Sequence, residues 1–405
     1  MAHEDRAFYD VLGDRGVTRR DFLKFCGSIA AMLGLSETMV PTIAAAVEGA
    51  AGSKLYPAIW MNGGACTGCT ESVAQGTNPD VATIVLDILS MNHMETVMMA
   101  TGHDAEKAMY ETAEQYAGKF ILIYEGSVMT GLEGNTLRIA NEPSLKMLEE
   151  IGSKAAAVLA VGSCAVDGGW VRSVPSVKAK NYPTAPDAWA TGVSQYFAAK
   201  GIATPVVNLP TCPVNPEWVV AMVIDTVLLG GIDENGKVTQ GLVDKLDKFG
   251  RPKLIFGQTV HDNCPRRGHF ENGEFVYQFG SAEEAKGYCL YPVGCKGPQT
   301  YTNCPIVRWN NQSSWCVESG APCIGCGDWN WVDQNAPFLG RNRRIGLGTV
   351  NWDPAVVGAA AGAVVVGALA VHGVGMKAAG RIGDGPATED MKDYDRKRAG
   401  KGGAK

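Results

Sequence analysis

The chain has 405 residues, of which 46% are hydrophobic, and it carries 36 Lys and Arg against 42 Asp and Glu, a formal net charge of -6. This length and composition support a large folded core and roughly two or three domains, and they exclude a disordered chain. The body contains no long basic stripe of the kind that neutralises phosphates, so we expect no nucleic acid partner.

The N-terminal segment, residues 1–50, is predicted to be a twin-arginine export signal. Arg19 and Arg20 precede a moderately apolar run at 25–35, and small residues follow between 44 and 51. Paired arginines, a short apolar stretch and an alanine-rich end stand in the order that such signals use. The alternative is an amphipathic N-terminal helix that begins with two arginines.

Residues 55–250 are predicted to form a parallel, doubly wound α/β domain. Four short apolar runs predict buried strands, and helical patterns lie between and after them. This alternation is typical of an open parallel sheet with helices on its faces. The predicted strands are 56–61, 120–124, 155–161 and 204–209, and the predicted helices are 188–200 and 217–229.

The pattern changes in the next region, residues 251–345. Here the chain breaks into stretches rich in Cys, Gly, Pro, Asn and Trp, in which no long helical or strand periodicity persists. We therefore predict a second, loop-rich domain. A region with so few regular elements needs internal staples.

A stretch without formal charge, residues 354–376, predicts a transmembrane helix near the C-terminus. Its length of about 20 residues suffices to cross a bilayer. A buried helix of a soluble domain is the alternative, although the glycine content suits one poorly. Lys377 and Arg381 follow at once, which favours the cytoplasmic side for the tail, 377–405. We expect the body on the periplasmic or extracellular face.

The 12 cysteines could serve disulfides, structural zinc or iron-sulfur ligation. Cys26 lies in the predicted leader, and the 11 cysteines that remain cannot all pair into disulfides. Two Cys-x-x-Cys pairs, at 66/69 and 323/326, are typical of metal or redox sites. The count therefore favours metal ligation.

The first group of cysteines follows the predicted strands. Cys66 and Cys69 come after the first strand, Cys164 after the third and Cys212 after the fourth. Because the carboxyl ends of parallel strands line one crevice, we expect the four thiolates to converge. Such a set suits an iron-sulfur cluster, and zinc is the alternative, although zinc sites usually use two local pairs.

Two further groups lie in the loop-rich region. One imidazole and three thiolates form the first of them, and four thiolates form the second. Either set is complete for one cluster, although a lone histidine is more often an ordinary surface or core residue. The groups are His261, Cys264, Cys289 and Cys295, and then Cys304, Cys316, Cys323 and Cys326.

In their order along residues 55–340, these motifs resemble the small subunit of nickel-iron hydrogenases. The leader and the C-terminal apolar stretch match the membrane-bound respiratory members of that family. The motifs are Cys-Thr-Gly-Cys-Thr-Glu, Gly-Ser-Cys-Ala, Pro-Thr-Cys-Pro, His-Asp-Asn-Cys-Pro-Arg-Arg, Cys-x5-Cys-Lys-Gly-Pro and Pro-Cys-Ile-Gly-Cys.

The resemblance implies a flavodoxin-like domain with a proximal 4Fe-4S cluster, and a loop-rich iron-sulfur domain with a medial cluster and a distal 4Fe-4S cluster. It implies proximal ligands Cys66, Cys69, Cys164 and Cys212, distal ligands His261, Cys264, Cys289 and Cys295, and medial ligands Cys304, Cys323 and Cys326.

The resemblance also implies the role of the chain. Oxidation of H2 to two protons and two electrons belongs to the nickel-iron site of a large subunit, so this chain supplies no catalytic residue. It would conduct electrons through the three clusters to a membrane cytochrome b or another cytochrome-linked or quinone-linked acceptor.

Two departures from common family patterns refine this expectation. Many members have Pro where this chain has Cys316, so a fourth medial thiolate favours 4Fe-4S over 3Fe-4S, with a free buried thiol as the alternative. Oxygen-tolerant members add cysteines where this chain has Gly68 and Gly169. We therefore expect an ordinary proximal cluster and sensitivity to oxygen.

Other functions remain open at this point. A quinone-reducing complex subunit shares the first cysteine group but would lack the second cysteine-rich region and the leader. A hydrogen-sensing regulator would need neither export nor an anchor. An exported, non-catalytic iron-sulfur or zinc-stabilised binding protein is the alternative from another class.

Overall fold

The computed structural model describes residues 18–33, 35–51, 55–76, 88–173, 189–310, 312–335, 338–340, 345–347, 350–352, 354–379 and 381. The chain forms two compact units that divide after Arg341. Each unit is described below by itself.

A parallel sheet forms the centre of the first unit. Its five strands are β1 (Tyr56–Asn62), β2 (Leu89–Met94), β3 (Ile121–Glu125), β4 (Ala157–Val161) and β5 (Val206–Leu209). They lie in the order β2-β1-β3-β4-β5, and every neighbouring pair is parallel. This is the flavodoxin-like strand order, which confirms the predicted doubly wound fold.

The strands form where apolar runs can be buried on both faces. Every residue of β3 and β4 is buried, as is typical of a parallel sheet covered by helices. All four predicted strands are present. The sequence did not predict β2, because Ser90, Asn92 and His93 interrupt its apolar pattern at the edge of the sheet.

Two short antiparallel strand pairs lie outside the parallel sheet. Val128–Met129 pairs with Ala190–Thr191, and Arg138–Ile139 pairs with Glu142–Pro143.

Helices of very different length accompany the strands. The α-helices of the first unit are α1 (Arg19–Met32), α2 (Val40–Ala51), α3 (Gly68–Ala74), α4 (His103–Gln115), α5 (Ser144–Gly152), α6 (Ser163–Asp167), α7 (Gly169–Arg172), α8 (Val193–Lys200), α9 (Pro216–Val227), α10 (Gln240–Asp244), α11 (Lys253–Phe256), α12 (Arg267–Glu271), α13 (Ala282–Ala285), α14 (Cys304–Val307) and α15 (Trp331–Asn335). The 3-10 helices are Glu37–Met39, Gly131–Gly134, Val260–Asn263 and Tyr291–Val293.

Helices α8 and α9 correspond to the two predicted helices, with boundaries that local signals explain. Helix α8 ends at Gly201, which takes the left-handed conformation that glycine favours at this position. Helix α9 begins after Asn215, whose side chain accepts a hydrogen bond from the Glu217 N-H, and Pro216 occupies its first turn. All of its residues from Trp218 to Thr226 are buried.

The predicted leader contains two helices that pack against the body. Helix α1 contacts α2 and α9, and one face of it is buried through Phe22, Phe25, Cys26 and Ile29. The paired arginines lie outside that face and are exposed. An amphipathic helix is compatible with either interpretation of this segment, so export remains a prediction.

The region after Arg251 contains only short helices and loops, and its core is continuous with that of the sheet. Trp218 of α9 is fully buried and packs edge-on against Phe256 and Trp309, with ring centroids 5.2 and 5.9 Å apart. The Trp218 Nε1-H also donates to the side-chain oxygen of Asn303 at 2.9 Å. The side chain therefore joins α9 to the segment that precedes Cys304.

The second unit contains a hairpin and one long helix. Strands Ile345–Leu347 and Val350–Trp352 are antiparallel, and α16 spans Pro354–Ala378. The predicted C-terminal helix is therefore present. Its portion Gly358–Ala378 is long and apolar enough to cross a membrane, and none of it is buried against other described residues.

Candidate metal centres

All 12 cysteines lie among the described residues, and none of them forms a disulfide. No group of three or more His, Cys, Asp or Glu in the described part of the chain is arranged to hold a single metal ion. The thiols nevertheless fall into sets whose members interact electrostatically. The three sets that the sequence grouped are therefore each brought together in the structure.

The first set lies at the carboxyl edge of the sheet. The charges of Cys69, Cys164 and Cys212 influence one another, and Cys66 interacts with both Cys164 and Cys212. The sheet therefore brings together the four cysteines that the sequence grouped. Parallel strands achieve this because β1, β4 and β5 all end at the same edge.

Burial and neighbouring thiols raise the pKa of three cysteines in this set. The pKa of Cys212 rises to about 11, and the pKa values of Cys69 and Cys164 also lie above the ordinary value. These three thiols are therefore protonated when they bind nothing, and a metal must displace those protons. Cys66 and Cys212 are exposed, so the set opens to the surface.

Hydrogen-bond donors surround the first set. The N-H groups of Gly68 and Val214 donate to the sulfurs of Cys66 and Cys69, at 3.4 and 3.5 Å. The backbone N-H of Trp170 and its indole act in the same direction, because they lower the pKa of Cys164 and Cys212 against the larger effect of burial. Donors of this kind stabilise thiolate charge and tune cluster potentials.

Two glycines keep space open beside these sulfurs. A Cβ atom on Gly162 would lie 2.5 Å from the Cys69 sulfur, and one on Gly169 would lie 2.9 Å from the Cys164 sulfur. Both glycines also have positive φ, at 88° and 45°. Side chains at these positions would crowd the thiols, so the cradle fits a group that fills the space between them.

Glu125 is a buried carboxylate that the sequence reasoning missed. It ends β3 with 2% exposure and accepts hydrogen bonds from the N-H groups of Cys69 and Thr70, at 2.9 and 3.2 Å. The Thr70 hydroxyl and the Trp60 indole donate to it as well, at 2.5 and 3.2 Å. Glu125 thus fixes the first turn of α3, which carries Cys69. An acidic residue that ends an apolar strand is the signal that could have identified it.

The second set lines a cleft in the loop-rich region. His261, Cys264, Cys289 and Cys295 all border this cleft, and the three thiols interact electrostatically. The structure therefore brings the imidazole to the same cleft as the thiols. One imidazole and three thiols that border one cleft suit the ligation of an iron-sulfur cluster.

Local structure holds His261 in place. It lies in a 3-10 helix whose start is capped by reciprocal hydrogen bonds between Thr259 and Asp262. The Phe270 ring packs edge-on against the imidazole at 4.6 Å. Burial, with a contribution from the Arg267 charge, lowers the pKa of His261. The neutral imidazole that results is the form that binds metals.

The third set is Cys304, Cys316, Cys323 and Cys326. Cys304 interacts with the other three, and Cys326 interacts with Cys316. Burial raises the pKa of Cys304 to about 12. The Cys316 side chain reaches the surface, yet enough protein surrounds it to raise the pKa of its thiol.

Hydrogen bonds connect the three sets in series. The hydroxyl of Ser163, which directly precedes Cys164, donates to the Cys326 carbonyl at 2.8 Å and joins the first set to the third. The Cys323 N-H donates to the Cys295 sulfur at 3.4 Å, which joins the third set to the second. The structure thus has the order first, third, second, with the Cys304 set in the middle.

Comparison with known proteins identifies the family. A family model for the C-terminal part of the NiFe/NiFeSe hydrogenase small subunit matches residues 256–339. The periplasmic [NiFe] hydrogenase small subunit 1 of Nitratidesulfovibrio vulgaris is 38% identical over 327 residues, 81% of this chain and 94% of that protein. This chain belongs to the nickel-iron hydrogenase small-subunit family. Small subunits of this family transfer electrons through iron-sulfur clusters and pair with a large subunit.

Other similarities agree with this family. The quinone-reactive Ni/Fe-hydrogenase small chain of Wolinella succinogenes is 35% identical over 330 residues, 81% of this small subunit and 85% of that chain. The [NiFeSe] hydrogenase of Desulfovibrio vulgaris Hildenborough has a TM-score of 0.62 and 35% identity, and the alignment covers 71% of this small subunit and 98% of that chain. A model of the 20 kDa subunit of NADH ubiquinone oxidoreductase matches residues 66–226 alone. The second cysteine-rich region therefore separates the hydrogenase subunit from the quinone-reducing alternative.

Proposed function

We propose that this hydrogenase small subunit holds three iron-sulfur clusters as a linear electron relay. The observation that carries the proposal is the serial arrangement of the three ligand sets, joined by the hydrogen bonds of Ser163 and Cys323. Clusters bound there would accept and release single electrons without moving atoms. The protein contributes the ligands, their spacing and the donors around them.

The proximal site is proposed to hold a 4Fe-4S cluster on Cys66, Cys69, Cys164 and Cys212. Its exposed edge, at Cys66 and Cys212, supports contact with the large subunit. Gly68 and Gly169 stand where oxygen-tolerant relatives have additional cysteines. An ordinary proximal cluster and an oxygen-sensitive enzyme are therefore part of the proposal.

The medial site is proposed to hold a 4Fe-4S cluster on Cys304, Cys316, Cys323 and Cys326. The electrostatic interaction of Cys316 with both Cys304 and Cys326 supports a fourth ligand there. A three-iron cluster on the other three cysteines, with Cys316 as a free thiol, is the competing arrangement.

The distal site is proposed to hold a 4Fe-4S cluster on His261, Cys264, Cys289 and Cys295. The cleft that these residues share supports the assignment. A histidine ligand raises the reduction potential relative to an all-thiolate set, which suits the last position of a relay that delivers electrons outward.

We further propose an exported, membrane-anchored enzyme. Residues 1–50 would direct export, α16 would cross the membrane and residues 377–405 would lie in the cytoplasm. The periplasmic relative and the apolar span Gly358–Ala378 support this topology. The quinone-reactive relative supports a membrane cytochrome b or another quinone-linked acceptor as the electron partner.

Purification from membranes under anaerobic conditions tests the proposal as a whole. We expect this chain to copurify with a nickel-containing large subunit and a haem-containing membrane protein. Iron and acid-labile sulfide should be present in equal amounts, as 4Fe-4S clusters require. A purified chain that contains zinc in place of iron would contradict the three-cluster relay.

A further inference from the structure

Ser163 lies where the proximal and medial ligand sets meet. It directly precedes Cys164 and is only 2% exposed. Its hydroxyl donates a hydrogen bond to the carbonyl oxygen of Cys326 at 2.8 Å and accepts one from the Thr211 N-H at 3.1 Å. The Ser163 N-H donates to the Thr211 carbonyl at 3.0 Å. One side chain thus connects the ends of β4 and β5 to the medial ligand Cys326.

Ser163 brings the proximal ligand Cys212 and the medial ligand Cys326 together. Its hydroxyl binds the Cys326 carbonyl oxygen and accepts from the N-H of Thr211, which directly precedes Cys212. The Cys212 N-H accordingly lies close enough to Cys326 to lower the pKa of that thiol, against the larger opposite effect of burial. The covalent path from the Cys212 sulfur through Cβ and Cα leads to this same N-H group.

We propose that Ser163 is a positioning residue that fixes the Cys212 N-H to Cys326 sulfur contact and thereby sets the rate of electron transfer from the proximal to the medial site. The inference rests on the proposed cluster relay. In the step concerned, the proximal site is oxidised by one electron and the medial site is reduced by one. No bond forms or breaks, and no proton moves.

The hydroxyl can be removed without removing a ligand. Its loss leaves the Thr211 N-H and the Cys326 carbonyl without this partner in a buried place, which favours local relaxation. Other bonds still hold the segment, because Asn330 donates to the Asp167 carboxylate at 2.6 Å and accepts from Arg172. We therefore expect a displaced Cys326 and an intact pair of clusters.

The test compares Ser163→Ala with the wild type in the purified heterodimer. After mixing with H2, rapid freezing and electron paramagnetic resonance follow the reduction of the proximal and medial clusters separately. In Ser163→Ala we expect a longer delay between reduction of the proximal cluster and reduction of the medial cluster than in the wild type. The iron content should stay at the wild-type value.

Two further variants separate positioning from general damage. Ser163→Thr keeps the hydroxyl and should restore the wild-type delay. Ser144→Ala removes another buried serine hydroxyl, which starts α5 and has no hydrogen-bond partner among the described residues, and should change nothing.

The inference is overturned if the delay between proximal and medial reduction in Ser163→Ala equals that of the wild type. It is also overturned if both Ser163 variants lose either cluster or shift its reduction potential. If the wild type itself lacks the clusters, the proposed relay is at fault. If the wild type contains them and Ser163→Ala conducts normally, only the role of Ser163 is wrong.

Discussion

The backbone N-H of Cys323 lies 3.4 Å from the sulfur of Cys295 and donates a hydrogen bond to it. The return contact is equally direct, because the Lys296 N-H donates to the Cys323 carbonyl at 2.7 Å. Two neighbouring ligand sets are therefore joined by one backbone-to-sulfur and one backbone-to-backbone hydrogen bond. Apart from the Cys295 sulfur this junction uses only backbone atoms, whereas the proximal junction depends on the hydroxyl of Ser163.

Glu125→Gln should raise the reduction potential of the proximal cluster. The buried carboxylate of Glu125 places a negative charge beside Cys69, which disfavours adding an electron there, and glutamine removes that charge at nearly constant volume. Because an amide also loses one acceptor for the surrounding donors, the free energy of unfolding should fall by about 1–3 kcal/mol.

A redox titration followed by electron paramagnetic resonance measures the Glu125 effect. Glu114→Gln is the control, since Glu114 is an exposed carboxylate that pairs with Lys154 at the surface. An unchanged proximal potential in Glu125→Gln would show that this carboxylate does not act on the cluster.

Cys316→Pro should convert the medial cluster to a three-iron form. A three-iron cluster is paramagnetic when oxidised, whereas an ordinary oxidised four-iron cluster is not, so a new resonance should accompany a raised medial potential. The proximal and distal signals should remain. A strong three-iron resonance in undamaged wild type would return Cys316 to the status of a spare thiol.

Replacing Arg19 and Arg20 with lysine should leave the protein in the cytoplasm with its leader attached. Both arginines are exposed, so the change should disturb the export signal and not the fold. Cell fractionation with antibody detection measures the outcome. Lys24→Gln, another exposed change on α1, should be exported normally. Normal export of the double-lysine variant would refute the signal assignment.

Truncation before Pro354 should release an active, soluble heterodimer. Helix α16 belongs to the second compact unit, and its large apolar side chains from Val364 to Val374 are exposed, as expected of a helix that faces lipid. Activity with an artificial electron acceptor should persist in the soluble fraction. A truncated protein without clusters would mean that the helix is part of the fold and no anchor.

The sequence predicted what strong patterns encode. Apolar runs that end in cysteine located β1, β4 and β5, and the rule for parallel strands then predicted that Cys66, Cys164 and Cys212 converge. Strand β2 was not predicted, because polar residues such as Asn92 interrupt its apolar pattern at the edge of the sheet. Pattern reasoning depends on repetition, and an edge strand of six residues offers too little of it.

Single residues that act through tertiary hydrogen bonds were not predictable in the same way. Ser163 and Glu125 contact Cys326 and Cys69, which lie 163 and 56 positions away in the chain. No local spacing encodes such a contact. The grouping of Cys316 with Cys304 followed from the number of cysteines outside the leader. Without Cys316, the last set would have had only three thiols.

The three sets differ in what holds their backbone, and iron supply should expose that difference. The sheet that carries Cys164 and Cys212 forms from its own apolar strands, whereas the segments between Cys264 and Cys326 contain helices of only three to five residues. Such segments owe much of their order to bound metal. A cell short of iron would therefore accumulate a partly folded protein, in which the sheet is folded and the cysteine-rich region is accessible to proteases. The amount of enzyme would then fall through proteolysis, while the turnover rate of each assembled enzyme would stay the same.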